Sequence, residues 1–224
     1  MRNYSDDKTL LINNSYSQFL KGKILDIGCN ECIVPKKLDI DKKDYYGVDF
    51  DGDALKICRK KGFRVKQVNL ELEDLPYNKN SFDSFICMDI LEHLQDPLSA
   101  TNKIKKTLKP GAVGIISLPN DLNLTNLSKI LFFGKSLVVK HKVWDPHTHL
   151  HFPSVSESKK FVEENFNIIS ITYRPSNFTV PLLPKKIKEV LAKIFPRFFA
   201  QNIIFLDDIL RTLKGAVSIE LNKD

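Results

Sequence analysis

The sequence predicts an α/β fold, a parallel sheet covered by helices on both faces, and three observations carry that prediction. Between residues 23 and 118, short apolar runs alternate five times with segments of helical period. The first run, Ile24-Leu25-Asp26-Ile27, carries an acid near its end and turns through Gly28. That is how α/β proteins build a ligand seat at the carboxyl end of a strand. The second run, Tyr45-Tyr46-Gly47-Val48-Asp49-Phe50, closes on another acid, Asp49, 23 residues after Asp26. A carboxylate there can accept both hydroxyls of a ribose, so the two acids together point to a nucleoside-containing cofactor.

The elements follow in order. Leu10-Leu11-Ile12, Tyr16, Phe19 and Leu20 recur at helical spacing and predict a leading helix within residues 1–22, ended by Gly22. Residues 23–27 are the first strand. A helix over about 31–38 follows, with Pro35 acceptable only in its first turn. Residues 44–49 form the second strand and 51–61 a helix stopped by Gly62; 63–70 form the third strand. Pro76-Tyr77-Asn78-Lys79-Asn80-Ser81 is turn chemistry ahead of a fourth strand at 82–88. Asp96-Pro97 supplies a side-chain cap and a proline at the first helical position. Leu98, Ile104 and Leu108 carry that helix to Pro110-Gly111, and 112–118 is the fifth strand. Ser154 or Ser156 caps a helix over 154–164, and 166–173 is the sixth strand. Over 184–195, Ile187, Leu191, Ile194 and Phe195 share a face that Lys185, Lys186, Lys188 and Lys193 surround. Residues 216–221 are the expected last strand, with 203–206 the competing choice.

Hydrophobic content of 42% and charged content of 27% are those of an ordinary globular domain. No apolar run approaches the ~18–20 residues of a transmembrane helix. The first seven residues lack the apolar core of a signal peptide. Cys29, Cys32, Cys58 and Cys87 are too few for a disulfide scaffold and fit a reducing cytoplasm. The net charge of +7 is uneven: 19 Lys/Arg against 18 Asp/Glu up to residue 128, then 15 against 9. The basic surplus of the second part suits phosphates, an anionic membrane surface or acidic glycans, or it is a solvated lysine-rich face.

Order and punctuation together resemble the class I S-adenosylmethionine-dependent methyltransferases over residues 22–174. Ile24-Leu25-Asp26-Ile27-Gly28-Cys29 resembles the first motif of that family. Leu75-Pro76-Tyr77 and Ser81-Phe82-Asp83 resemble its approach to strand four, and Lys109-Pro110-Gly111 its approach to strand five. The stretch from Cys87 through Asp89, Glu92 and His93 to Asp96-Pro97 is similar to the subgroup of ubiquinone-type O-methyltransferases. The resemblance implies a Rossmann-like three-layer sandwich with a seven-stranded, mostly parallel sheet and an antiparallel last strand. It implies one domain over 1–224: the leading helix, a cofactor-binding core at 23–118, and substrate-side or lid insertions at 119–153 and 176–213. The implied cofactor is S-adenosylmethionine. Gly28 and Cys29 would meet its methionine part, with Asp26 orienting the turn or facing the amino group. Asp49 would bind the ribose, Phe50 would pack on the adenine, and Asn69, with Leu70, sits where the family often has an aspartate that accepts from the adenine amino group. Met88 would floor the site near the sulfonium. The first motif departs from the family pattern at Asn30 and Cys32, which stand where glycines are usual. Asn tolerates positive φ, whereas the Cβ of Cys32 narrows the loop.

Three further groups of residues bear on chemistry. Asp89, Glu92 and His93 would share a face if the segment after strand four makes one helical turn. His93 could then act as a general base, the three could hold a divalent metal, or Glu92 and His93 could only brace the cofactor loop. His147, His149 and His151 alternate; His149 is a candidate active-site wall or alternative base, with zinc ligation and loop packing as the other readings. Cys29 and Cys32 form a C-x-x-C pair without a second pair, which leaves redox or metal use weakly supported. The basic amphipathic stretch within 176–213 reads as a lid over the substrate pocket or as a surface for peripheral membrane contact. Nucleic-acid binding is not expected, since no recognised module accompanies the charge. A nicotinamide enzyme is disfavoured because residues 28–33 lack G-x-G-x-x-G spacing. The expected protein is a cytoplasmic enzyme, compatible with the inner face of a membrane. It methylates an oxygen or nitrogen of a small-molecule, sugar or lipid-linked acceptor. A non-catalytic relative that binds a partner or a membrane through its basic part is the alternative.

Overall fold

The alternation read from residues 23–118 becomes one seven-stranded sheet in the computed structural model, which describes residues 16–134, 149–175 and 184–208. Its strands are β1 (Ile24–Ile27), β2 (Tyr45–Asp49), β3 (Arg64–Gln67), β4 (Phe82–Met88), β5 (Leu108–Pro119), β6 (Asn167–Pro175) and β7 (Ala200–Asp208). They lie in the order β3-β2-β1-β4-β5-β7-β6. Pairs among β1 to β5 are parallel, and β7 runs antiparallel to both β5 and β6. The helices are α1 (Val34–Lys37), α2 (Gly52–Lys60), α3 (Pro97–Thr107), α4 (Leu124–Phe133), α5 (Val155–Asn165), α6 (Lys185–Ile194) and α7 (Pro196–Phe199). The chain leaves β1 for β2 on one side, and β4 returns on the other. This reversal of strand order opens a crevice at the carboxyl ends of β1 and β4.

Local chemistry explains most of the boundaries. The side chain of Asp51 caps α2, accepting from Asp53 and Ala54, and Asp96 caps α3 by accepting the Ser99 N–H at 2.8 Å. Of the two candidate serines, Ser154 is the cap of α5, in a reciprocal box with Glu157. Asn30 and Cys32 both adopt left-handed φ, 47° and 54°, so α1 cannot begin before them and spans a single turn. Of the leading helix, the described part is Tyr16 and one 3-10 turn at Ser17–Phe19; residues 1–15 lie outside the described residues.

Two sequence expectations are corrected. The strand beside β5 is β7, not residues 216–221, which lie outside the described residues. The slot between β5 and β6 is covered on both faces. Ile203 and Phe205 enter one apolar cluster, Ile204 and Leu206 the opposite one, and all four are buried. A continuous apolar run suits that slot better than an alternating one. The interval 176–213 is therefore not an insertion throughout. Secondly, Cys32 and Cys58 are joined as a disulfide, while Cys29 and Cys87 are buried thiols, a pairing that the cysteine spacing did not indicate. No helix among the described residues is long and apolar enough to cross a membrane.

Candidate active site

The carboxyl ends of β1, β2 and β4 open on a cleft. Gly28 lines it after β1, Asp49 and Phe50 at the end of β2, Asn69, Leu70 and Glu71 after β3, and Ile90, His93 and Leu94 after β4. Gly28 takes φ 72° and donates its N–H to the Val48 carbonyl at 2.8 Å, which folds the loop back over β2. The next residues hold Asp49: its Oδ2 accepts from Asn30 N–H at 2.8 Å and its Oδ1 from Asp51 N–H at 3.0 Å. Each oxygen keeps a lone pair, so the fixed carboxylate can still accept two hydroxyls. Phe50 beside it is half exposed, a large apolar ring at the cleft mouth. Asn69 closes a turn by accepting the Glu71 N–H at 3.0 Å, which leaves one carbonyl lone pair and its amide donor.

Three expected cofactor residues do not line the cleft. Asp26 is buried beneath it and accepts the Tyr45 hydroxyl at 2.6 Å. Burial pushes its carboxyl up to about 7, against the Tyr45 hydrogen bond and with help from the charge of Asp49. The Cys29 side chain packs under the loop among Tyr45, Leu55 and the disulfide, and burial followed by the charges of Asp26 and Asp49 pushes its thiol far up. Met88 alternates away from Cys87 and lies in the core on the other face of the sheet. Glu71, Ile90 and Leu94 are walls that the sequence reading missed. Glu71 Oε1 accepts the Gln95 N–H at 2.6 Å and draws the segments after β3 and β4 together.

At the rim, the 3-10 turn Leu91–His93 meets the segment around His149. Leu150 and His151 both donate N–H to the Glu92 carbonyl, at 2.8 and 3.1 Å, and Asp121 donates N–H to the Pro153 carbonyl at 3.3 Å. So clamped, His149 stacks edge-on against His93 with ring centres 4.8 Å apart. Its Nδ1 lies 3.0 Å from Asp121 Oδ2 and its Nε2 4.0 Å from Glu92 Oε1. Burial alone would lower the His149 pKa, but the Asp121 hydrogen bond and the charges of Asp121, Glu92 and Asp89 outweigh it and raise it. Glu92, buried behind the rim, His93 and His149 offer ligand atoms within 4.8 Å of one another, close enough to hold a cation. The triad expected from spacing was Asp89, Glu92 and His93. Asp89 instead takes φ 53° before the turn, and its Oδ1 accepts from the Ser117 hydroxyl at 2.7 Å, so His149 replaces it. Asp121 was not singled out in the sequence; its place just past the carboxyl end of β5 was the available signal.

Residues 25–116 match the family model described as a methyltransferase domain. The ubiquinone biosynthesis O-methyltransferase of Aliivibrio fischeri strain MJ11 is 27% identical over 183 residues, 77% of this chain and 76% of that relative. The protein of the same name from Vibrio parahaemolyticus is 26% identical over 166 residues, 69% of each chain. A putative S-adenosylmethionine-dependent methyltransferase from Listeria monocytogenes matches the fold with a TM-score of 0.64 at 14% identity, covering 92% of this chain and 99% of that one. A possible histamine N-methyltransferase from Thermotoga maritima matches with 0.62 at 16% identity, covering 90% and 89%. The chain is a class I S-adenosylmethionine-dependent methyltransferase.

The cleft of this methyltransferase fits its cofactor. A left-handed glycine stands at the strand end, a fixed carboxylate keeps lone pairs for two hydroxyls, and an exposed aromatic ring lies beside it, groups that suit a nucleoside-containing ligand. Among the described residues, none of α6 or α7 lines this cleft.

Proposed function

We propose that the methyltransferase methylates a hydroxyl group, with His149 as proton acceptor held in place by Asp121. The observation that carries this reading is the 3.0 Å pair of His149 Nδ1 and Asp121 Oδ2 beside the cleft residue His93. S-adenosylmethionine, when bound, would supply the methyl group on its cationic sulfonium, with a neutral thioether as the leaving group. The chain has to aim the nucleophile along the breaking bond and remove its proton. With Nδ1–H donated to Asp121, the neutral imidazole presents Nε2 as acceptor. Glu92 at 4.0 Å would stabilise the imidazolium that forms. Asp49 would bind the ribose, Phe50 and Leu70 the adenine, Asn69 its amino group, and Gly28 the methionine backbone. His93 would wall the acceptor. Glu92, His93 and His149 could alternatively hold a divalent cation that activates the hydroxyl.

The surface favours a lipid-linked acceptor reached at an anionic membrane. Leu131, Phe132 and Phe133 at the end of α4 are 70–77% exposed. Through α7 they adjoin α6, where Ile187, Val190, Ile194 and Phe195 are also exposed among Lys185, Lys186, Lys188, Lys193 and Arg197. Apolar insertion flanked by cations is the pattern of a peripheral membrane face.

The test is transfer of labelled methyl from S-adenosylmethionine to quinone precursors, nucleotide sugars, glycans and lipid extracts, with wild type and His149→Ala. The expected result is an ether-forming product whose turnover collapses in the variant while cofactor affinity holds. Labelling of amines alone, or full turnover by the variant, would overturn the reading. Flotation with phosphatidylglycerol vesicles should carry the wild type but not a Phe132→Glu/Phe133→Glu variant. Equal flotation of the two would remove the membrane face.

A further inference from the structure

Beneath the cofactor loop three sulfurs converge: Cys29, Cys32 and Cys58 lie within 4.8 Å of one another, all buried. Cys32 and Cys58 are covalently joined, so they are not thiolate ligands, and the bond ties the loop after β1 to α2. Cys32 belongs to the loop after β1, and Cys58 to α2, which continues the wall that carries Asp49 and Phe50. Between them stands Asn30. Its carbonyl oxygen lies 3.0 Å from Cys58 Sγ, and its N–H donates to Asp49 Oδ2 at 2.8 Å. Asn30 and Cys32 both sit in left-handed conformations that non-glycine residues avoid and that persist only where surrounding structure imposes them.

We propose that the Cys32–Cys58 disulfide is a redox-sensitive strap that positions Asp49, through Asn30, for cofactor binding. This rests on the assignment of Asp49 to the ribose of S-adenosylmethionine. In the oxidised chain the S–S bond imposes the left-handed loop. A dithiol reductant breaks that bond, delivers two electrons and two protons to Cys32 and Cys58, and leaves as its own disulfide. In the reduced chain the covalent tie is replaced by a single Cys58 S–H donated to the Asn30 carbonyl, a weaker restraint on a strained loop. The loop then relaxes, and the Asn30 N–H that fixes Asp49 moves with it. Cys29 does not scramble the strap, because a buried thiol beside two carboxylates stays protonated and does not attack.

The experiment compares cofactor affinity in the two states by calorimetry with S-adenosylmethionine on the full chain. Protein purified in air and unfolded without reductant should show two reactive thiols, Cys29 and Cys87, and four after reduction. Dithiol treatment should weaken S-adenosylmethionine binding about tenfold, the affinity equivalent of letting one left-handed residue relax. KM for the cofactor should rise with kcat at saturation unchanged, a split that general destabilisation would not give. The Cys32→Ser/Cys58→Ser variant should bind weakly with and without reductant. If it does not fold, reduced wild type with an unchanged circular dichroism spectrum supplies the same comparison. Equal affinity in the two states, four thiols in the unreduced protein, or a variant that still responds to dithiol would overturn the strap. Absence of cofactor binding in both states would instead overturn the assignment on which it rests.

Discussion

Replacing Asp26 by asparagine isolates one buried ionisation. The native carboxyl is buried and accepts the Tyr45 hydroxyl at 2.6 Å, and its pKa rises from 3.8 to about 7, mainly through burial. An unfolded chain releases that proton near 3.8, while the folded chain keeps it to about 7. The stability tied to this proton is thus fully present below 3.8 and is lost as pH rises through about 7. About three pKa units at roughly 1.4 kcal/mol each amount to about 4 kcal/mol lost across that window. Asparagine keeps an acceptor for Tyr45 but cannot ionise. Urea unfolding of Asp26→Asn and wild type across the window should therefore show the variant gaining on the wild type, by about 4 kcal/mol from end to end. A stability difference that stays constant with pH, or that moves the other way, would refute the burial argument.

Further outcomes follow from other sites. The kcat of the wild type should rise with pH through a value above the 6.5 of an ordinary histidine, as the raised His149 loses its proton; Asp121→Asn should shift that limb to lower pH, and an unmoved limb would count against the pair. Gly114 pairs with Phe85, whose ring would lie 1.8 Å from an added Cβ, so Gly114→Ala should destabilise by about 3 kcal/mol or more in urea unfolding. Ser154→Ala removes the side-chain half of the α5 capping box and should cost about 1 kcal/mol, read as a lowered Tm.

The sequence carried β1, β2, β4 and β5 because each holds a local apolar run closed by recognisable punctuation, while β3, a mostly exposed edge strand, is read from its place between Gly62 and the turn at 76–81. The runs around Asp26 and Asp49 announced the seat for the same reason: an acid at a strand end is written in neighbouring residues. What was not legible depends on partners distant in the chain. Nothing near 203–206 says that β5 and β6 will flank it on both sides. His149 and Asp121 are 28 residues apart, and the clamps of 150–151 on the Glu92 carbonyl and of Asp121 on the Pro153 carbonyl bring them together. Asp89 was placed on a helical face by counting residues, and its left-handed φ defeats that count. The Cys32–Cys58 bond likewise arises from the approach of α2 to the loop, a tertiary fact that cysteine spacing does not encode.

The position of β7 also dictates an order of events during synthesis. Strands β1 to β5 pair only with one another until residues 200–208 arrive, so that part of the sheet can close while the rest of the chain is still in the ribosome. β6 leaves the exit tunnel before β7, yet in the finished sheet β7 is its neighbour. The β5 edge, Ile115 and Ile116 included, stays unpaired meanwhile, an open row of backbone donors and acceptors until β7 seals it.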